Sequence, residues 1–142
     1  MDVVEGRPVP TPSPLTEGFW AAAREHRLVI QRCDQCEAYR HYPQPVCPEC
    51  LSDRWTWTEI SGRGVIYTFT VTHQPFHQAW KERTPFAVAT IELTEGVRMV
   101  SDLPADDVDR VAIGHPVEVF FEDHEIDGTP FTFPRFRLGN DG

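Results

Sequence analysis

The sequence predicts a mainly β protein: one N-terminal helix, a four-cysteine metal ribbon and a C-terminal five-stranded barrel. Three observations predict it. All four cysteines fall in "RCDQCEAYRHYPQPVCPEC", as two Cys-x-x-Cys pairs. From Val65 onward the chain alternates apolar and polar residues in short runs broken by turn signals. Between the proline-rich start and the first cysteine, only "LTEGFWAAAREHR" has helical spacing.

Residues 1–14 carry Pro8, Pro10, Pro12 and Pro14 and read as an extended, flexible tail. Residues 15–31 hold the helix. Thr16 is the expected cap through its hydroxyl, Glu17 sits at the positive end of the dipole, and Phe19 and Trp20 are packing residues. "LVIQRC" then reads as a strand entering the ribbon, which spans 32–58. "RWTWTEI" closes it, with Trp55 and Trp57 on one face.

Residues 59–142 supply five strands: "VIYTFTVTH", "PFAVATIELTEG", "VRMVSDL", "VEVFFEDHEI" and "TPFTFPRFRL". Glu95-Gly96 and Asp127-Gly128 are hairpin turns. Pro130 and Pro134 mark the last strand as an edge or a kinked strand. Five strands with short turns and one longer break fit an OB-type barrel.

The ribbon carries the strongest chemical signal. Two residues separate Cys33 from Cys36 and Cys47 from Cys50, and such turns aim two thiolates each at one ion. Four sulfur donors suit zinc first and iron second. With all four positions filled by protein, the site is structural, because catalytic zinc keeps a position open. Glu37 and Leu51 follow the second cysteine of each pair, where such knuckles usually carry glycine. Fewer backbone N–H groups are then expected to reach the sulfurs, which argues against an electron carrier.

Composition excludes several classes. The chain has 142 residues and net charge −9, of which residues 64–142 carry −7. An acidic chain is a poor match for a nucleic-acid backbone. No run is long and apolar enough for a membrane span, and no signal-like leader precedes the tail, so a cytoplasmic location is expected. With every cysteine committed to metal, no thiol nucleophile remains. No serine elbow, phosphate loop or dinucleotide fingerprint is present, and no catalytic residue is assigned. The acidic run at 122–127 around His124 reads as a solvated hairpin end.

The ordered set of "FW" helix, four-cysteine ribbon, "SGRGVIYTFTV", "VATIELTEGVRMVSDL", "IGHPVEVFFED" and "PRFR" resembles the DUF35 family, over roughly residues 15 to 138. The resemblance implies a rubredoxin-like zinc ribbon docked on an OB-fold barrel. It also implies a non-catalytic partner of thiolase-superfamily enzymes, either thiolases or lipid-transfer-protein-like aldolases of steroid and lipid side-chain degradation. Such a partner helps form an acyl-CoA thioester site shared with the enzyme.

The long connection "HQPFHQAWKERTPF" is the expected contact for partner or CoA. It offers Phe76, Trp80, Lys81 and Arg83, with Arg63 as a further anion contact. The alternatives are a single-stranded nucleic-acid module and a stand-alone acyl-CoA-binding protein.

Overall fold

The computed structural model describes residues 3–4, 7–74 and 84–139, with side chains from Val9 onward. Strands β1 (Val3–Val4) and β2 (Arg7–Pro8) pair antiparallel. The segment read as an extended tail thus contains a small hairpin, and Val9 after it is buried against Phe131.

Helix α1 (Glu17–Arg24) buries Phe19, Ala22 and Ala23. Its start differs from expectation, because the Thr16 hydroxyl makes no cap to the helix. Thr16 Oγ1 instead accepts the N–H of Ser13 at 2.9 Å, within a turn in which the Ser13 carbonyl receives the N–H groups of Thr16 and Glu17. Gly18 faces the Trp57 indole so closely that a Cβ there would clash with the ring, which lets the helix lie against the ribbon. Trp20 packs on Phe131 of the barrel at 5.1 Å. One short helix therefore bridges both units, and that packing supplies the stability an isolated eight-residue helix lacks.

The ribbon is a three-stranded antiparallel sheet. β3 (Val29–Cys33) lies between β4 (Tyr39–Arg40) and β5 (Trp55–Glu59). Trp55 and Trp57 share a face, edge to ring at 4.9 Å.

The second sheet holds β6 (Arg63–Thr72), β7 (Phe86–Leu93), β8 (Arg98–Asp102), β9 (Pro116–Ile126) and β10 (Thr129–Leu138), in the order β10-β9-β6-β7-β8. The inward residues of β7 are Ala87, Ala89, Ile91 and Leu93, all buried on every second position. With Ile66, Met99, Val117, Phe136 and Leu138 they form the main core, which Phe19, Leu28 and Ile30 extend toward the ribbon.

A bulge between Ile66 and Thr68 bends β6, whose residues 63–65 pair with β9 while 64–72, apart from the bulge, pair with β7. Both expected hairpin turns form. Asp127 and Gly128 both have left-handed φ (49° and 82°), as a two-residue connection between twisted strands requires. β10 is an edge of the ladder, as its prolines imply.

The sheet's two outer strands, β8 and β10, run parallel and are joined by side chains rather than by a ladder. Ser101 Oγ accepts the Phe136 N–H at 3.1 Å, and Asp107 Oδ2 accepts the Leu138 N–H at 3.0 Å. Arg135 reaches across with Nε and Nη2 on the two Asp102 oxygens at 3.0 and 2.9 Å. Its Nη1 donates to Glu122 at 2.9 Å. This is a barrel closed on one side by polar side chains, in keeping with the partly open OB architecture.

Candidate functional site

β3 delivers Cys33 from its last residue, and the turn after it places Cys36. The second knuckle, residues 47–50, faces the first. The Cys33 and Cys50 sulfurs lie 3.5 Å apart and those of Cys36 and Cys47 3.7 Å apart. All four fall within 4.8 Å of one another. Zinc bonds of about 2.3 Å to four tetrahedral sulfurs would place those sulfurs about 3.8 Å apart, so the cluster already has the dimensions of the site.

The knuckles depart from one expectation. Glu37 and Leu51 adopt left-handed φ of 65° and 66°, the conformation glycine would supply. Their N–H groups bond the carbonyls of Cys33 and Cys47 at 3.0 and 2.9 Å, and both side chains lie in solvent. A non-glycine residue pays about 1–2 kcal/mol for this conformation, but the turn still forms. The Cys36 N–H reaches Cys33 Sγ at 3.5 Å, and the nearby N–H groups of Gln35, Ala38, Glu49, Cys50 and Ser52 favour the thiolate form of the cysteines they approach.

Electrostatics show what the cluster needs. The Cys36 N–H, aided by that of Gln35, draws the Cys33 thiol down to about 6 against opposing burial. At Cys50 the Ser52 N–H also favours the thiolate, but burial and the three neighbouring sulfurs outweigh it and push the thiol up to about 12. Four thiolates this close do not coexist without a cation. Zinc would supply that charge, held by Cys33, Cys36, Cys47 and Cys50, with no position left for substrate.

The other expected contacts divide. Phe76, Trp80, Lys81 and Arg83 lie outside the described residues. Arg63 begins β6 at the barrel's end, exposed, beside a cleft of about 460 Å³ that Glu92 and Glu118 also line. Those two carboxylates already hold Arg98 and Arg137, at 3.4 and 3.1 Å.

The acidic run at 122–127 is not simply a solvated hairpin end. Glu122 lies half-buried between Arg135 and His124, and Asp123 accepts bonds from the Thr132 hydroxyl at 2.6 Å and from His26 at 2.8 Å. His26 also stacks on Phe121 at 5.1 Å, pinning the end of α1 to the barrel.

A second concavity was not legible in the sequence. A cavity of about 220 Å³ lies where α1, the ribbon loop and the barrel meet. Phe19 and Trp20, His41 to Pro43, Met99 and Val100, and Phe133 and Pro134 line it. His41 sits between Phe19 (5.8 Å) and Tyr42 (4.2 Å), and burial pushes its imidazole down to about 4, so it is neutral at physiological pH. Four separate stretches of chain build this cavity, and no local spacing links them.

Comparisons with known proteins agree with this architecture. The family model "ChsH2, rubredoxin-like zinc ribbon domain" matches residues 20–56, and "ChsH2, C-terminal OB-fold domain" matches 57–122. The "Ltp2-ChsH2(DUF35) aldolase" structure superposes with a TM-score of 0.78 at 39% identity, over 92% of this chain and 98% of that one. A "DUF35 domain-containing scaffold protein" of Methanothermobacter thermautotrophicus is 31% identical over 69% of this chain and 74% of its own.

The chain belongs to the DUF35 family. The ribbon is thus a rubredoxin-like zinc ribbon and the second sheet an OB-fold, as the residues and the resemblance both implied. A "Probable enoyl-CoA hydratase alpha subunit" of Thermomonospora curvata is 46% identical over 70% of this DUF35 chain, but over only 31% of its own length. The chain spans about a third of the length of the first curated relatives it matches. Among the described residues, no helix is long and apolar enough to cross a membrane.

Proposed function

We propose that this DUF35 chain is a non-catalytic accessory subunit that binds and supports a thiolase-superfamily acyl-CoA enzyme. The enzyme would be a lipid-transfer-protein-like aldolase or a thiolase acting on lipid or steroid side chains. The observation that carries the reading is the near-complete superposition on a chain of the Ltp2-ChsH2(DUF35) aldolase, both units included. The site chemistry supports it: the four cysteines the chain has all meet in one closed metal cluster, so none is left as a nucleophile.

In this reading the chain helps form the enzyme's CoA-thioester site. Phe76, Trp80, Lys81 and Arg83 of the β6–β7 connection, with Arg63, would contact the partner or the CoA phosphates. A chain of net charge −9 holds a polyanion only through such a local cationic group or with a partner's help. Co-expression with a thiolase-like enzyme from the same cell should give a stable complex with raised carbon–carbon cleavage activity. An enzyme that is fully soluble and active alone, and does not bind this chain, would end the proposal.

The 46% identity to a hydratase alpha subunit favours a second reading, in which the partner hydrates enoyl-CoA. Assaying the captured complex for hydration and for carbon–carbon cleavage separates the two. Calorimetry of the isolated chain with acyl-CoA and with single-stranded oligonucleotides tests the stand-alone carrier and the nucleic-acid module.

A further inference from the structure

Arg40 is a buried cation with no carboxylate beside it among the described residues. It is 7% exposed, on the edge strand of the ribbon. Its Nε donates to Gln31 Oε1 at 2.7 Å and its Nη2 to the Gln44 carbonyl at 2.9 Å. Both acceptors are neutral. Nη1 is sealed from solvent and unbonded. Gln31, itself fully buried, accepts a second bond from the Gln44 N–H at 2.8 Å, which fixes the fork in one orientation. Among the described residues no carboxylate lies within ion-pair distance of Arg40.

A buried charge persists only where something compensates it. The ribbon offers one strong candidate. A divalent ion held by four thiolates carries net charge −2, and Arg40 borders the same cavity as two of the four ligands, Cys36 and Cys47. Among the described residues the only carboxylate on that cavity is Glu49, which is exposed and so well screened.

We propose that Arg40 is the positioned counter-cation of the metal centre. The guanidinium does not touch a sulfur. It acts across the cavity that they share, with Gln31 and Gln44 fixing the fork, and it lowers the cost of gathering four thiolates around one divalent ion. Arg40 is thus a positioning residue for the metal, and buried Gln31 with the Gln44 backbone holds it in place.

Zinc affinity measured by chelator competition, on the full chain, tests this with Arg40→Met and Arg40→Lys. Loss of the charge should weaken zinc binding about 10- to 100-fold, the range found for residues that support metal ligands. The lysine variant should retain more affinity than the methionine variant, since an ammonium can keep the charge without the fork. Equal affinity in Arg40→Met, or an Arg40→Lys loss as large as that of Arg40→Met, would overturn the proposal. So would a methionine effect that vanishes in a Glu49→Gln background, because Glu49 would then be the real partner.

The iron-substituted protein gives a readout that mere packing would not move. Reduction takes its centre from −1 to −2, so removal of a nearby cation must lower the potential. An unchanged potential in Arg40→Met, with Arg40→Lys equal to both, would contradict the assignment.

Discussion

The ribbon and the barrel are held together by different forces. In the barrel, Ile66, Ile91, Leu93, Met99, Val117, Phe136 and Leu138 meet in one apolar core. Between residues 32 and 54 the buried positions are Cys33, Arg40 and Cys47, with no aliphatic or aromatic side chain among them. The barrel folds by removing apolar surface from water. The stretch from 32 to 54 has almost none to remove, and its large apolar groups Tyr42, Val46 and Leu51 are exposed. Its cysteines gather in one four-sulfur cluster, while Ile30 of β3 belongs to the barrel's apolar core. The lesson is that a closed four-cysteine cluster can stand in for a hydrophobic core within the same chain.

The comparison is broken most severely at the ligands. Cys33→Ser or Cys47→Ser should abolish stoichiometric zinc, and with it a contribution on the order of 10–16 kcal/mol to the ribbon's folding. Metal analysis and circular dichroism of the purified variants check this. The barrel should answer to a different change. Phe136→Ala removes a fully buried ring and should cost about 3–5 kcal/mol in urea unfolding while zinc content stays at one per chain.

Smaller changes probe the joints between the regions. Arg135→Met removes the cation shared by Asp102 and Glu122 at the β8–β10 closure and should cost about 2–3 kcal/mol, read from the same urea curves. Gly18→Ala drives a methyl into the Trp57 ring and should cost about 1–3 kcal/mol, with a change in tryptophan emission as helix and ribbon separate.

The smallest effect is at the His26–Asp123 contact. The Thr132 hydroxyl first, and His26 second, hold the Asp123 carboxyl below its ordinary value of 3.8. A depressed carboxylate stabilises the fold above its unfolded value and loses that contribution as pH falls through its folded value. Asp123→Asn should therefore cost a small part of the stability at neutral pH, and its gap to the parent should close as pH falls below about 4.

What could be read in the sequence was local. The cysteine spacing, the Asp127-Gly128 turn and the alternation of 87–93 each specify their own structure within a few residues. What could not be read depends on contacts between distant segments. The Arg135–Asp102 closure joins residues 33 apart, and "PRFR" says nothing of its partner. The Thr16 hydroxyl had two local acceptors and donors to choose from, and Ser13 won. Glu37 and Leu51 show a limit of another kind, since glycine is preferred at that conformation but metal binding outweighs the penalty. Arg40 looked like any ribbon arginine until its lack of a carboxylate became visible.

Amide hydrogen exchange of the full chain, before and after zinc is removed by chelator, tests the two-force account most directly. The account predicts that β3, β4, β5 and both knuckles lose protection while β6 to β10 keep theirs. A ribbon that stays protected without metal, or a barrel that opens together with it, would contradict the claim that the ion is the core of one region only.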